Sequence, residues 1–114
     1  MKKPILIAGA ALAFLATPAD AARTARCVIQ EAGSVAWRGP CRFSPDGGGS
    51  FYISPLRGTF RGGIDPISVT IVSPGVAQVY GNTSDGVNSR WGEARRSRRD
   101  PACWVGEDFS VCVY

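Results

Sequence analysis

Ile67-Ser68-Val69-Thr70-Ile71-Val72-Ser73-Pro74-Gly75-Val76-Ala77-Gln78-Val79-Tyr80-Gly81 carries the clearest structural signal in the chain. From Ile67 to Ile71, apolar β-branched residues alternate with hydroxyl residues, the period-two pattern of a strand with one buried face. Ser73-Pro74-Gly75 breaks the run, and Val76 to Gly81 returns. Setting Ile71 opposite Ala77 and Val69 opposite Val79 gives both strands one common apolar face. A slip by one residue would turn that face outward.

The same texture extends in both directions. Further strands are expected at Cys27–Glu31, Val35–Arg38 running towards Phe43, Ser50–Ser54, Val87–Ala94, Ala102–Val105 and Phe109–Val113. Glycine and proline are spread throughout and mark turns rather than a linker, so one domain is expected. Sustained helical spacing is absent beyond the leader. Ala94 to Asp100 has room for a short helical turn that Pro101 would stop. The expected fold is all-β, a small antiparallel barrel or sandwich of about seven to eight short strands.

The first 21 residues read differently. Lys2 and Lys3 precede an apolar run from Ile5 to Ala16, and Ala19-Asp20-Ala21 follows with the form of a secretory cleavage site. The run is shorter than the roughly 20 residues needed to cross a bilayer. We therefore expect a cleaved leader over 1–21 and a domain over 22–114, located in the periplasm or outside the cell, with no membrane insertion after cleavage. Removal changes the formal charge from +4 to +3, and all eleven remaining basic residues are arginines.

Four cysteines in a short exported chain point to a disulfide framework. A two-residue turn at Glu107-Asp108 pairs 106 with 109 and, three steps on, Cys103 with Cys112. That is a non-hydrogen-bonded position, where opposed Cα atoms lie closest. Cys27 and Cys41 are symmetric about Ser34, in a hairpin turning near Ala32-Gly33-Ser34. The expected bridges are 27–41 and 103–112. Zinc binding is not expected, because no Cys-x₂₋₄-Cys pair exists, and neither is a redox Cys-x-x-Cys.

Composition narrows the chemistry. The chain has no histidine, which excludes Ser-His-Asp and Cys-His catalysis and histidine-metal sites. Only carboxylates such as Asp46, Asp65, Asp85 and Glu93 remain as acid–base groups. Glu93 sits among arginines, a poor setting for a general acid. A non-enzymatic protein without a cofactor is expected.

The candidate binding segment is Asn88-Ser89-Arg90-Trp91-Gly92-Glu93-Ala94-Arg95-Arg96-Ser97-Arg98-Arg99. Five of the eleven mature arginines fall between positions 90 and 99. The guanidinium fork fits carboxylate and phosphate groups bidentately, and Trp91 offers a stacking or cation–π surface. Asn88, Ser89, Arg90, Trp91, Arg95, Arg96, Arg98 and Arg99 would together suit an anionic partner, an acidic protein cleft or an envelope glycan. The alternative is a solvated loop partly neutralised by Glu93 and Asp100. Two other segments carry weaker signals. Gly47-Gly48-Gly49 lacks the Lys-Ser/Thr of a phosphate cradle and reads as a hairpin loop. Arg57-Gly58-Thr59-Phe60-Arg61-Gly62-Gly63 looks like a nucleic-acid segment only superficially, and export makes nucleic acid an unexpected partner. Trp37 and Trp104 read as core cover.

The stretch Gly86 to Arg96, the pieces Ala102-Cys103-Trp104-Val105-Gly106 and Phe109-Ser110-Val111-Cys112, Gly39-Pro40-Cys41-Arg42-Phe43 and Gly49-Ser50-Phe51 resemble a group of small exported bacterial proteins of uncharacterised function. That resemblance implies export and a two-bridge frame, and no ligand. At the level of architecture alone, the chain is similar to periplasmic lysozyme inhibitors, which are small disulfide-bearing β proteins that insert a loop into an acidic cleft. Two functional expectations follow: a binding module with an arginine-rich contact segment, or a structural or envelope-stress protein without a specific ligand.

Overall fold

The computed structural model describes residues 21–83, 85, 86 and 88–114; all of the expected leader over 1–21 except Ala21 lies outside them, as does Val87. Eight antiparallel strands close into a barrel. They are β1 (Arg23–Glu31), β2 (Ser34–Pro45), β3 (Phe51–Pro55), β4 (Ile64–Ser73), β5 (Val76–Thr83), β6 (Asn88–Arg96), β7 (Cys103–Val105) and β8 (Phe109–Val113). Each strand pairs with its neighbour in sequence, and β8 returns to pair with β1, with Ile29 opposite Val111. Closure gives every strand a neighbour on both sides, although β6 meets β7 only at Arg95 and Arg96.

The β4–β5 hairpin has the expected register, Val69 opposite Val79 and Ile71 opposite Ala77. Its inward residues Ile67, Val69, Ala77 and Val79 are fully buried. Ile29, Ile53 and Val111 complete the middle of the interior, as expected for a narrow barrel filled by alternate side chains. Aromatic pairs close the two ends. Trp37 meets Phe60 edge-on at 4.9 Å and Trp91 meets Phe109 at 5.5 Å at one end. Phe43 packs on Phe51 at 5.0 Å at the other, and buried Trp104 lies beside them.

Both expected bridges form. Cys103 and Cys112 face each other directly, with Cα atoms 3.9 Å apart. The other bridge differs from the symmetric picture. The β1–β2 turn centres on Ala32 and Gly33, both at positive φ, so Glu31 faces Ser34. A bulge near Ile29 recovers only one residue of that offset. Cys27 therefore faces Gly39, Cys41 faces Ala25, and the bridge runs diagonally with Cα atoms 5.9 Å apart. Both sulfurs lie inside the barrel.

Strands are generally longer than expected, because pairing on both sides extends them past their apolar alternation. The same force removes the helical turn expected at Ala94 to Asp100. Arg95 pairs with Val76 on one side and Val105 on the other, so the backbone stays extended through Arg96 despite weak strand propensity.

Candidate functional site

Strand β6 and the loop after it distribute the arginine-rich segment over the whole height of the barrel. A strand rises about 3.3 Å per residue, which sets Arg90 and Arg96 about 20 Å apart along it. The segment therefore makes two sites rather than one.

The first half lies at the end marked by Trp91. Asn88 faces Asn82 across the ladder, and its side chain lies outside the described residues. Ser89 is half-buried opposite Gly81. Arg90 is exposed and donates to Gln78 Oε1 at 3.4 Å. A bulge then intervenes, since Tyr80 faces Arg90 while Val79 faces Gly92. Gly92 takes a φ of 117°, which L side chains rarely adopt. Trp91 is the extra residue, and the bulge re-aims its side chain. The indole rests on Phe109 and over Gly81, where an added Cβ would come within 3.0 Å of Trp91 Nε1 and of Ile64 Cγ2.

Around Trp91 the fold assembles residues that are distant in sequence. A hollow of about 540 Å³ is lined by Trp91, Phe109, Glu31, Arg61, Arg90 and Asp108, among others. A second, of about 520 Å³, shares Trp91 and Asp108 and adds Glu93, Arg95, Val105 and Glu107. Sequence reasoning missed Glu31, Arg61 and Asp108. Each sits in or beside a different turn, and only barrel closure brings the three turns to one rim.

The second half runs from Arg95, which still borders the second hollow, to the opposite end, beside the C-terminus. Arg95 points outward and pairs with Glu93 at 3.1 Å, with both side chains well exposed. Arg96 is structural: its Nε donates to Pro101 O at 2.7 Å, and its guanidinium lies 5.4 Å over the Trp104 ring.

Arg98 and Arg99 occupy a tightly bonded loop. Ser97 N donates to Cys103 O, and Cys103 N to Asp100 O, each at 2.9 Å. Ser97 Oγ accepts from Arg99 N at 3.2 Å and Asp100 N at 3.1 Å. The Asp100 carboxylate accepts from Ala102 N at 3.2 Å through one oxygen and from Tyr114 Oη at 2.6 Å through the other. This bond is the main reason the Tyr114 phenol is held above its usual pKa; burial and the Asp100 charge add to it, and Arg26 opposes it. Asp100 is thus engaged with its own loop rather than with a guanidinium. Both Arg98 and Arg99 are exposed, and among the described residues neither guanidinium has a hydrogen-bond or ion-pair partner.

Among the described residues, no three of the cysteines and carboxylates are grouped to hold a metal ion. No helix among them is long and apolar enough to cross a membrane. No family model matches the chain, and neither a curated protein nor a solved structure matches it.

Proposed function

We propose that the protein is a non-catalytic, exported binding module that engages an acidic protein surface through Arg98 and Arg99. The observation that carries this reading is the β6–β7 loop. Among the described residues, its two adjacent exposed guanidiniums have no partner of their own, while the backbone N–H groups of Ser97, Arg99, Asp100, Ala102 and Cys103 and both oxygens of its single carboxylate are bonded. A loop already fixed loses little entropy on binding. Arginine forks on a short exposed loop suit the bidentate carboxylates of an acidic protein surface. Export is supported by the leader pattern and the two bridges.

The test is a pull-down from periplasmic extract with the oxidised 22–114 protein, run beside an Arg98→Ser/Arg99→Ser variant. Arg96 is left intact because changing it would disturb Trp104 and the loop together. An acidic protein captured by the parent alone, and released by salt, is the expected result. Stoichiometric inhibition of a lysozyme would be one concrete form, and unaltered lysozyme activity at molar excess would remove that form. Capture of a glycan would change the partner class. Identical capture by both proteins would leave the arginines as solvated surface and favour a structural role.

A further inference from the structure

We propose that the Trp91 end of the barrel is a second, independent binding site, for a neutral oligosaccharide. Trp91 and Asp108 line both hollows and form the wall between them. Each hollow falls within the range of about 300–1,000 Å³ typical of small-molecule sites. Two neighbouring hollows that share Trp91 suit a chain of rings rather than one compact molecule.

The polar groups choose the ligand class. The first hollow carries Arg61 and Arg90 against Glu31 and Asp108. The second carries Arg95 against Glu93, Glu107 and Asp108. Among the described residues of this rim, the one ion pair is Arg95 with Glu93; within the first hollow the opposite charges line one space without closing on each other. A strongly anionic or cationic ligand would meet like charges in either hollow. A sugar hydroxyl both donates and accepts, so it can serve carboxylate and guanidinium alike. The C–H face of a pyranose ring packs on an aromatic surface such as the half-buried Trp91, which Phe109 supports from below.

This site lies at the opposite end of β6 from Arg98 and Arg99, so the two proposals fail separately. The experiment is a ¹⁵N–¹H NMR titration of the oxidised 22–114 protein with maltotriose, cellotriose and tri-N-acetylchitotriose, with an oligoglutamate peptide as the charged control. Trp91→Phe assigns the indole signal. The expected result is saturable shifts of the Trp91 indole and the Gly92 and Asp108 amides with at least one neutral trisaccharide. They should persist in salt of about 1 M, where the Debye length is about 3 Å. Asp108→Asn and Arg61→Gln, both at exposed positions, should each weaken binding by about tenfold, and Arg98→Ser/Arg99→Ser should leave it unchanged. No saturable shift at Trp91 with any of the three sugars overturns the proposal. Shifts with oligoglutamate alone, or shifts that survive both rim variants undiminished, do the same.

Discussion

Tyr114 Oη donates a 2.6 Å hydrogen bond to Asp100 Oδ2, so the last residue of the chain clasps the loop that presents Arg98 and Arg99. The clasp links the C-terminal end of β8 to the β6–β7 connection. It also sets one oxygen of Asp100 on Tyr114 while the other accepts from Ala102 N, so the carboxylate faces its own loop and the C-terminus.

The clasp has a pH signature. The Tyr114 phenol is raised above 10.0, first by its bond to Asp100. A raised phenol means that folding favours the neutral form. Its stabilisation is therefore present below the unfolded pKa of about 10 and is lost as pH rises through the folded value. Thermal melts of the parent should fall more steeply above pH about 10 than those of Tyr114→Phe. At neutral pH the variant should lose only about 0.5 kcal/mol, because the bond is exposed. Equal alkaline slopes would contradict this account.

The arginines should divide by role in stability measurements. Arg96→Ala removes the bond to Pro101 and the stacking on Trp104, with an expected loss of about 1–2 kcal/mol in urea unfolding. Arg98→Ala and Arg99→Ala, at exposed positions without partners, should stay within about 0.5 kcal/mol of the parent. Arg95→Ala should also do little, since exposed ion pairs contribute about 0–1 kcal/mol.

Gly81 is needed for the space above it. A Cβ there would approach Ile64 Cγ2 and Trp91 Nε1 to 3.0 Å. Gly81→Ala should cost about 1–3 kcal/mol through overpacking and shift the Trp91 indole signal. A stability cost without an indole shift would place the strain elsewhere.

The bridges enclose loops of similar length, with sequence separations of 14 and 9, so chain entropy gives each about 3 kcal/mol. They differ in burial, since Cys27 and Cys41 are 0% exposed and Cys103 and Cys112 are 8% and 6%. Cys27→Ser/Cys41→Ser should therefore lose more than Cys103→Ser/Cys112→Ser, because it strands two hydroxyls in the barrel interior, at about 1–3 kcal/mol each. Unfolding curves of the two double variants check the order.

How far the sequence could be read depended on distance along the chain. Alternation from Ile67 to Ile71 determined a strand and its buried face, because side-chain direction in a strand has a fixed period of two. The Pro74-Gly75 break determined the hairpin, and the spacing around Glu107-Asp108 determined that Cys103 would meet Cys112. The Cys27–Cys41 partnership was legible too, but its diagonal geometry was not, because it depends on a turn position and a bulge. The arginine-rich segment looked like a single site because its residues are close in sequence. Its division into two ends follows from the extended rise of β6, which pairing with β5 and β7 imposes. Glu31, Arg61 and Asp108 carry no shared local pattern, and closure of β8 onto β1 is what brings their turns to the rim around Trp91. Local periodicity determined the strands and hairpins of this protein; only long-range strand pairing, whose hydrogen bonds and buried contacts join distant residues, decided that they close into a barrel and which side chains share each end.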